Sequence, residues 1–372
     1  MPGLVKHDWI FPIHDVTVDG DLSMLHPNNQ LLYGEFLHFL KKGRTWFGLN
    51  FDWPSDCPAL IPENFDTYVF SWHLENWDNH WLDRFCETHP SQQIVVIGEF
   101  DAESHHDNLR ILVHHCWHLF VPYLLDTFGA ANKFCKHRPY RLSSLCNKPS
   151  VLKALISAHL LEKYHPRNDL LLSWNKNVRG EHCRSMNYLT EGNFRDRPIL
   201  YQLIRFYHRH GMINRHISID DFVDNPWNHC DFTHPAFTQS LVNATNETFA
   251  QNQIFSKKLP GPYTSEKTWK TVLGGAALLP IGQSGMYPYM QSFGLRMDYP
   301  WPREFDNVIG DLDRIEKICD TVDWIFSEEF SNHEVAISDI NHYNYEYVRS
   351  RDFVDTVEHK NQLTLKHFLE RY

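Results

Sequence analysis

The chain has 372 residues, 42% of them hydrophobic, which is material for two domains, since single cores stop growing at roughly 250 to 300 residues. A formal charge of −11 excludes a protein that coats nucleic acid nonspecifically, because such binding is driven by cations that release phosphate counterions; a local basic groove stays open. No stretch approaches the ~18 uninterrupted apolar residues of a membrane span, and Met1 to Asp8 lack the charged start and apolar run of a secretory signal, so a cytoplasmic protein with no membrane partner is expected.

Taken in chain order, compact apolar runs alternate with helical patterns, the signature of a wound parallel sheet. Thr67 to Trp72 reads as a buried strand, and Asp78 to Thr88 as a helix carrying Trp81, Leu82 and Phe85 on one face. Gln93 to Gly98 is the next strand. Asn108 to Phe128 reads as one long amphipathic helix that kinks or restarts at Pro122. Arg141 to Leu145 is a strand leading into a polar turn, after which Pro149 or Ser150 starts a helix to about Tyr164. Leu170 to Trp174 is a further strand, and a helix is expected from Pro198 to His210. Ser240 to Thr245 and Ala276 to Ile281 are strands flanking a helix over Thr264 to Gly274. Asp311 to Ser327 carries Leu312, Ile315, Ile318, Val322 and Ile325 on one face, and the tail from Glu346 to Tyr372 reads as one or two helices.

The eight cysteines, Cys57, Cys86, Cys116, Cys135, Cys146, Cys183, Cys230 and Cys319, are nowhere spaced as C-x-x-C, so free thiols are expected rather than a zinc ribbon or redox pair.

The chemistry concentrates in the segment Tyr263 to Lys270 (YTSEKTWK). Thr264 and Ser265 are suitable N-cap residues, and the open amides of a helix N-terminus favour an anion. A nucleotide-sugar presents a diphosphate and a ribose diol. Lys267 can share the phosphate charge while Glu266 accepts hydrogen bonds from the ribose hydroxyls. The same residues also suit an ordinary capped helix with a surface ion pair.

This segment, followed by Gly274 to Gly282 (GGAALLPIG) and Phe293 to Leu295 (FGL), closely resembles the TEK-x-x-K pattern of a family of viral and bacterial glycosyltransferases and the donor-binding half of the alpha-1,3-fucosyltransferases. The likeness is good from about Ser240 to Ile325, weaker over Arg141 to Trp174, and only architectural before that. It implies a GT-B fold, an α/β architecture of two Rossmann-like lobes facing a cleft: an acceptor lobe over residues 1–138, a nucleotide-sugar lobe over 139–340 and C-terminal helices over 341–372. By the resemblance, Asn147 and Lys153 help hold the diphosphate and Glu247 faces the donor. Two departures stand out: Lys153 occupies the place of an arginine, losing its two-pronged grip, and the small residues Gly275, Ala276 and Ala277 replace a proline-bearing stretch. The loop that would read the base does not align, so a UDP- or GDP-linked donor is expected without choosing between them, and no metal is required.

The acceptor hydroxyl must lose its proton as it attacks. Glu99 and Asp101 directly follow the strand ending at Gly98, where wound sheets gather functional groups, and are the candidate bases. The cations and aromatics of 132–141 and 205–216 suit phosphates and flipped bases, with Arg138 and Arg141 as candidate acceptor ligands. The best-fitting acceptor is then a hydroxymethylcytosine in double-stranded bacteriophage DNA, modified in the host cytoplasm. A glycan, lipid or protein acceptor is the alternative. From another class, Glu99, Asp101, Glu103, His105 and His106, with His114 and His118, suggest a metal-dependent hydrolase. A nucleotide-sugar binder without catalysis is a third reading.

Overall fold

The computed structural model describes residues 45–48, 65–71, 79–98, 106–115, 117–129, 132–146, 151–174, 194–210, 231–247, 253–254, 257–258 and 262–371. The chain divides into two compact units, residues 1–120 with 354–372 and residues 121–353. The end of the chain thus belongs with its beginning, and the second unit starts earlier than the break expected near residue 138.

Among the described residues, the first unit holds a parallel sheet in the order β1 (Thr45–Gly48), β2 (Thr67–Ser71), β3 (Gln93–Gly98), β4 (Leu109–Val113). The single helix expected over 108–128 is corrected: Leu109–Val113 is β4, pairing with β3 from Leu109 opposite Ile94, and only α2 (Trp117–Phe128) is helical, continuing through Pro122. Five apolar-rich residues satisfy either period, and the pairing of β4 with β3 decides. Helix α1 (Asn79–Thr88) packs Phe85 edge-on against Tyr68 and Phe70 of β2. Asn361 of the last helix grips the chain just past β4, accepting from the His115 N–H and donating to its carbonyl, both at 2.8 Å.

In the second unit the parallel sheet runs β10 (Ala277–Ile281), β7 (Ser240–Asn246), β5 (Tyr140–Cys146), β6 (Leu170–Trp174). The two-residue strands β8 (Gln253–Ile254) and β9 (Lys257–Lys258) form a separate antiparallel pair. All of β7 and β10 is buried, as expected of parallel strands covered on both faces. The helices are α3 (Val151–Tyr164), α4 (Pro198–His210), α5 (Pro235–Thr238), α6 (Glu266–Gly274), α7 (Met286–Gln291), α8 (Asp311–Ile325), α9 (Glu334–Tyr347) and α10 (Arg351–Arg371), the last continuing into the first unit. Helix α3 is buried from Val151 to Leu161 because α4 and α8 also pack on it, which explains its nearly continuous apolar sequence. No helix among the described residues is long and apolar enough to cross a membrane. Cys86, Cys135, Cys146 and Cys319 are free thiols.

The order of this sheet positions the site. From β5 the chain winds through α3 to β6 on one side, then returns to place β7 on the other side of β5. Right-handed crossovers in opposite directions put their helices on opposite faces and leave a crevice at the carboxyl ends of the two strands between them. Asn246, ending β7, closes the seam from below by donating to the Ser144 hydroxyl (2.9 Å) and the Leu145 carbonyl (3.0 Å) of β5.

Candidate nucleotide-sugar site

Among the described residues, two helices begin beside the β5–β7 seam at the carboxyl edge of this sheet. Helix α3 follows β5, and α6 follows β7 after a long connection. Ser265 caps α6 with extended backbone (φ −115°, ψ −178°), its hydroxyl accepting the Lys267 N–H at 3.2 Å. Gly275 ends the helix at φ +78°, a conformation that costs a side-chain-bearing residue strain. An added methyl there would meet Arg138 Nη2 at 2.6 Å, and one on Gly274 would meet the Phe237 backbone at 2.8 Å. Gly274 and Gly275 are therefore what lets α6 lie against α5 and Arg138.

A buried polar network sets the rotation of α6 on the sheet. The Asn243 carboxamide of β7 donates to Ser143 of β5 at 2.8 Å and accepts from Thr245 at 2.7 Å and Thr271 of α6 at 3.1 Å. Thr271 is fully buried, so these bonds stand in a low-dielectric interior where mispairing is costly.

Glu247 fastens the other end of α6. It is fully buried; one oxygen accepts the Ser265 N–H at 3.0 Å and the other accepts the Thr268 hydroxyl. Burial pushes its carboxyl above the usual carboxylate range, opposed by the Lys267 ammonium and those two hydrogen bonds. Both oxygens are spent within the chain, so Glu247 positions the first turn of α6 instead of facing a ligand. Two of the amides that the sequence leaves open to an anion, those of Ser265 and Lys267, are likewise taken.

What stays accessible is the pair Glu266 and Lys267, whose side chains are 19% and 32% exposed and 3.0 Å apart. Lys267 also approaches the Ser265 hydroxyl at 3.4 Å. Lys153 lies in the first turn of α3, 5% exposed, within the fields of Lys267, Glu247 and Glu266. Cys146, at the end of β5, faces the same place, and burial pushes its thiol up to about 12, against the pull of Lys153 and Lys267. It is a neutral thiol at physiological pH. Two helix starts, two ammonium groups and two carboxylates therefore meet above the β5–β7 seam. Lys153, Glu247, Ser265, Glu266 and Lys267 lie together at this seam, and Asn147 lies outside the described residues. Thr268 and Cys146 were not singled out, because neither has a sequence signature apart from the partners it meets.

Glu99, Asp101, Glu103, His105 and the side chain of His118 also lie outside the described residues. His106 pairs with Asp83 at 3.0 Å, and among the described residues no three His, Cys, Asp or Glu side chains gather as metal ligands.

Arg138 and Arg141 do different work from that expected. Arg138 is half-buried and donates to the carbonyls of Cys135 (3.0 Å), Phe237 (2.9 Å), Ser240 (2.8 Å) and Gly274 (3.0 Å) while stacking over Phe134. Arg141 donates to the carbonyls of Ile325 and Ser327 at the end of α8, approaches Glu334 and Asp169, and lies over Phe330. Each guanidinium closes the negative end of a helix within its own unit. Of the other cationic segment, Arg205 lies over the Tyr201 ring of α4, and 211–216 are outside the described residues.

Comparison with protein-family models, with curated proteins and with solved structures gives no match.

Proposed function

We propose that the chain is a GT-B glycosyltransferase: the unit of residues 121–353 binds a UDP- or GDP-linked sugar, and the sugar is transferred to an acceptor hydroxyl. The observation that carries this reading is the pairing of Lys153 and Lys267, one in the first turn of each helix that starts above the β5–β7 seam. A seam of this kind is where open α/β sheets take their ligands, and two ammonium groups there can make charge-assisted hydrogen bonds to the oxygens of a diphosphate. Glu266, beside Lys267 and partly exposed, supplies the carboxylate a ribose diol requires. The resemblance of SEKTWK to the TEK-x-x-K motif points the same way.

Glu99 and Asp101, which follow β3, are the proposed bases. The hydroxymethylated cytosine of phage DNA is the acceptor to test first, beside glycan, lipid and protein acceptors. Its phosphates would be held by groups other than Arg138 and Arg141.

The test is product formation from a panel of UDP- and GDP-sugars with these acceptors, analysed by mass spectrometry. Sugar transfer from one donor is expected, lost in Glu99→Gln or Asp101→Asn. Donor binding with no transfer to any acceptor or water would leave a binding protein, and hydrolysis dependent on added metal would favour the hydrolase reading.

A further inference from the structure

Among the described residues, no carboxylate pairs directly with Lys153, whereas Lys267 has Glu266 at 3.0 Å. The Lys153 side chain is only 5% exposed, and among the described residues its ammonium makes no hydrogen bond or ion pair. The groups facing it are Cys146 from β5, Glu247 from the end of β7, and Glu266 and Lys267 from α6. Cys146 is a neutral thiol. Glu247 spends both oxygens on Ser265 and Thr268, and Glu266 pairs with Lys267. On α8, which also packs on α3, Asp313 and Glu316 pair with Arg197, and Asp323 is held by His159 and Lys163 farther along α3. A buried ammonium with no counterion either gains an anion or gives up its proton.

We infer that nucleotide binding at this site is coupled to proton uptake by Lys153: the empty site holds it partly as a neutral amine, and the arriving diphosphate restores and keeps the ammonium. This rests on the nucleotide-sugar reading of the same site. The balance is one proton gained by the Lys153 nitrogen from solvent for each site that was neutral before binding. Burial pulls the Lys153 ammonium down to about 8; the Lys267 charge adds to this, while Glu247 and Glu266 act against it. Above that pH each binding event must first repay the proton, so affinity falls with rising pH, by about tenfold between pH 7 and pH 9.

The experiment is titration calorimetry of UDP and GDP on the full chain at pH 8, in two buffers of different ionisation enthalpy, repeated from pH 7 to pH 9. At pH 8 these nucleotides have lost their phosphate protons and still hold the N–H of the base, so uptake measured there reports on the protein. Binding enthalpies that differ between buffers by a substantial fraction of a proton, with affinity falling about tenfold across the range, are expected. Lys153→Arg, whose guanidinium stays charged, should bind without uptake and with affinity independent of pH. Because the native chain alone reports the uptake, the test stands even where the variant fails to fold. Binding with equal enthalpies in both buffers and a flat pH profile overturns this inference and leaves the nucleotide site in place. Absence of binding by either nucleotide at every pH overturns both.

Discussion

The Glu247 carboxylate accepts the backbone N–H of Ser265 at 3.0 Å, so the residue that directly follows a buried strand holds the cap of the helix that carries Glu266 and Lys267. The contact spans the whole connection between β7 and α6. It makes the position of the two exposed charges a property of the sheet and not of the loop before them.

Removing that carboxylate should therefore cost stability before it costs chemistry. Glu247→Ala strands a buried amide and the Thr268 hydroxyl, and a loss of about 2 kcal/mol or more in urea unfolding is expected. Glu247→Gln keeps an acceptor and sheds a buried charge, so its loss should be smaller. An alanine variant as stable as the native chain would show that the helix start is held by something else.

The end of α6 gives a second prediction. Gly275→Ala must adopt φ +78° and displace the Arg138 guanidinium, and Gly274→Ala must push back the Phe237 backbone. Each should lower stability by about 1 to 3 kcal/mol, with Gly274→Ala the harder to accommodate because backbone cannot swing aside. Melting temperatures unchanged in both would contradict this packing.

Arg138→Met should unfold the chain more readily, leaving the carbonyls of Phe237, Ser240 and Gly274 without their donor. If instead the variant melts normally and loses salt-dependent DNA binding alone, Arg138 is an acceptor ligand after all.

Asp323 gives a prediction in pH. Its burial pushes the carboxyl up, but hydrogen bonds from His159 (2.6 Å), Lys163 (2.7 Å) and Tyr164 outweigh it and hold the group well below the usual carboxylate range. A carboxyl depressed on folding stabilises above its unfolded value, near 3.9, and that stability fades as pH falls toward the folded value. Asp323→Asn should therefore be less stable than the native chain at pH 6, with the gap closing toward pH 2. A gap independent of pH would mean that the carboxylate charge contributes nothing to pinning α3 on α8.

The contrast between Lys267 and Arg138 shows what a sequence makes legible. Strands such as Gln93–Gly98 and Leu170–Trp174, and the helix Pro198–His210, follow from local periodicity, and the Thr264–Lys267 cap follows from four adjacent residues. Leu109–Val113 was misread because five apolar-rich residues beside a true helix fit its period. The tasks of Arg138, Arg141 and Glu247 depend mainly on carbonyls and amides brought close by the winding of the sheet, 18 to 186 positions away. An arginine beside aromatic residues has the same local sequence whether it grips a phosphate or closes a helix.

The proposed nucleotide site is tested by calorimetric binding of UDP and GDP to the native chain and to Lys267→Ala at pH 7, with circular dichroism to check the fold. One nucleotide should bind the native chain, and the variant should keep its fold but lose at least about tenfold in affinity, the scale of one charge-assisted contact. Failure of both nucleotides to bind, or equal affinity for the native chain and the variant, would contradict it.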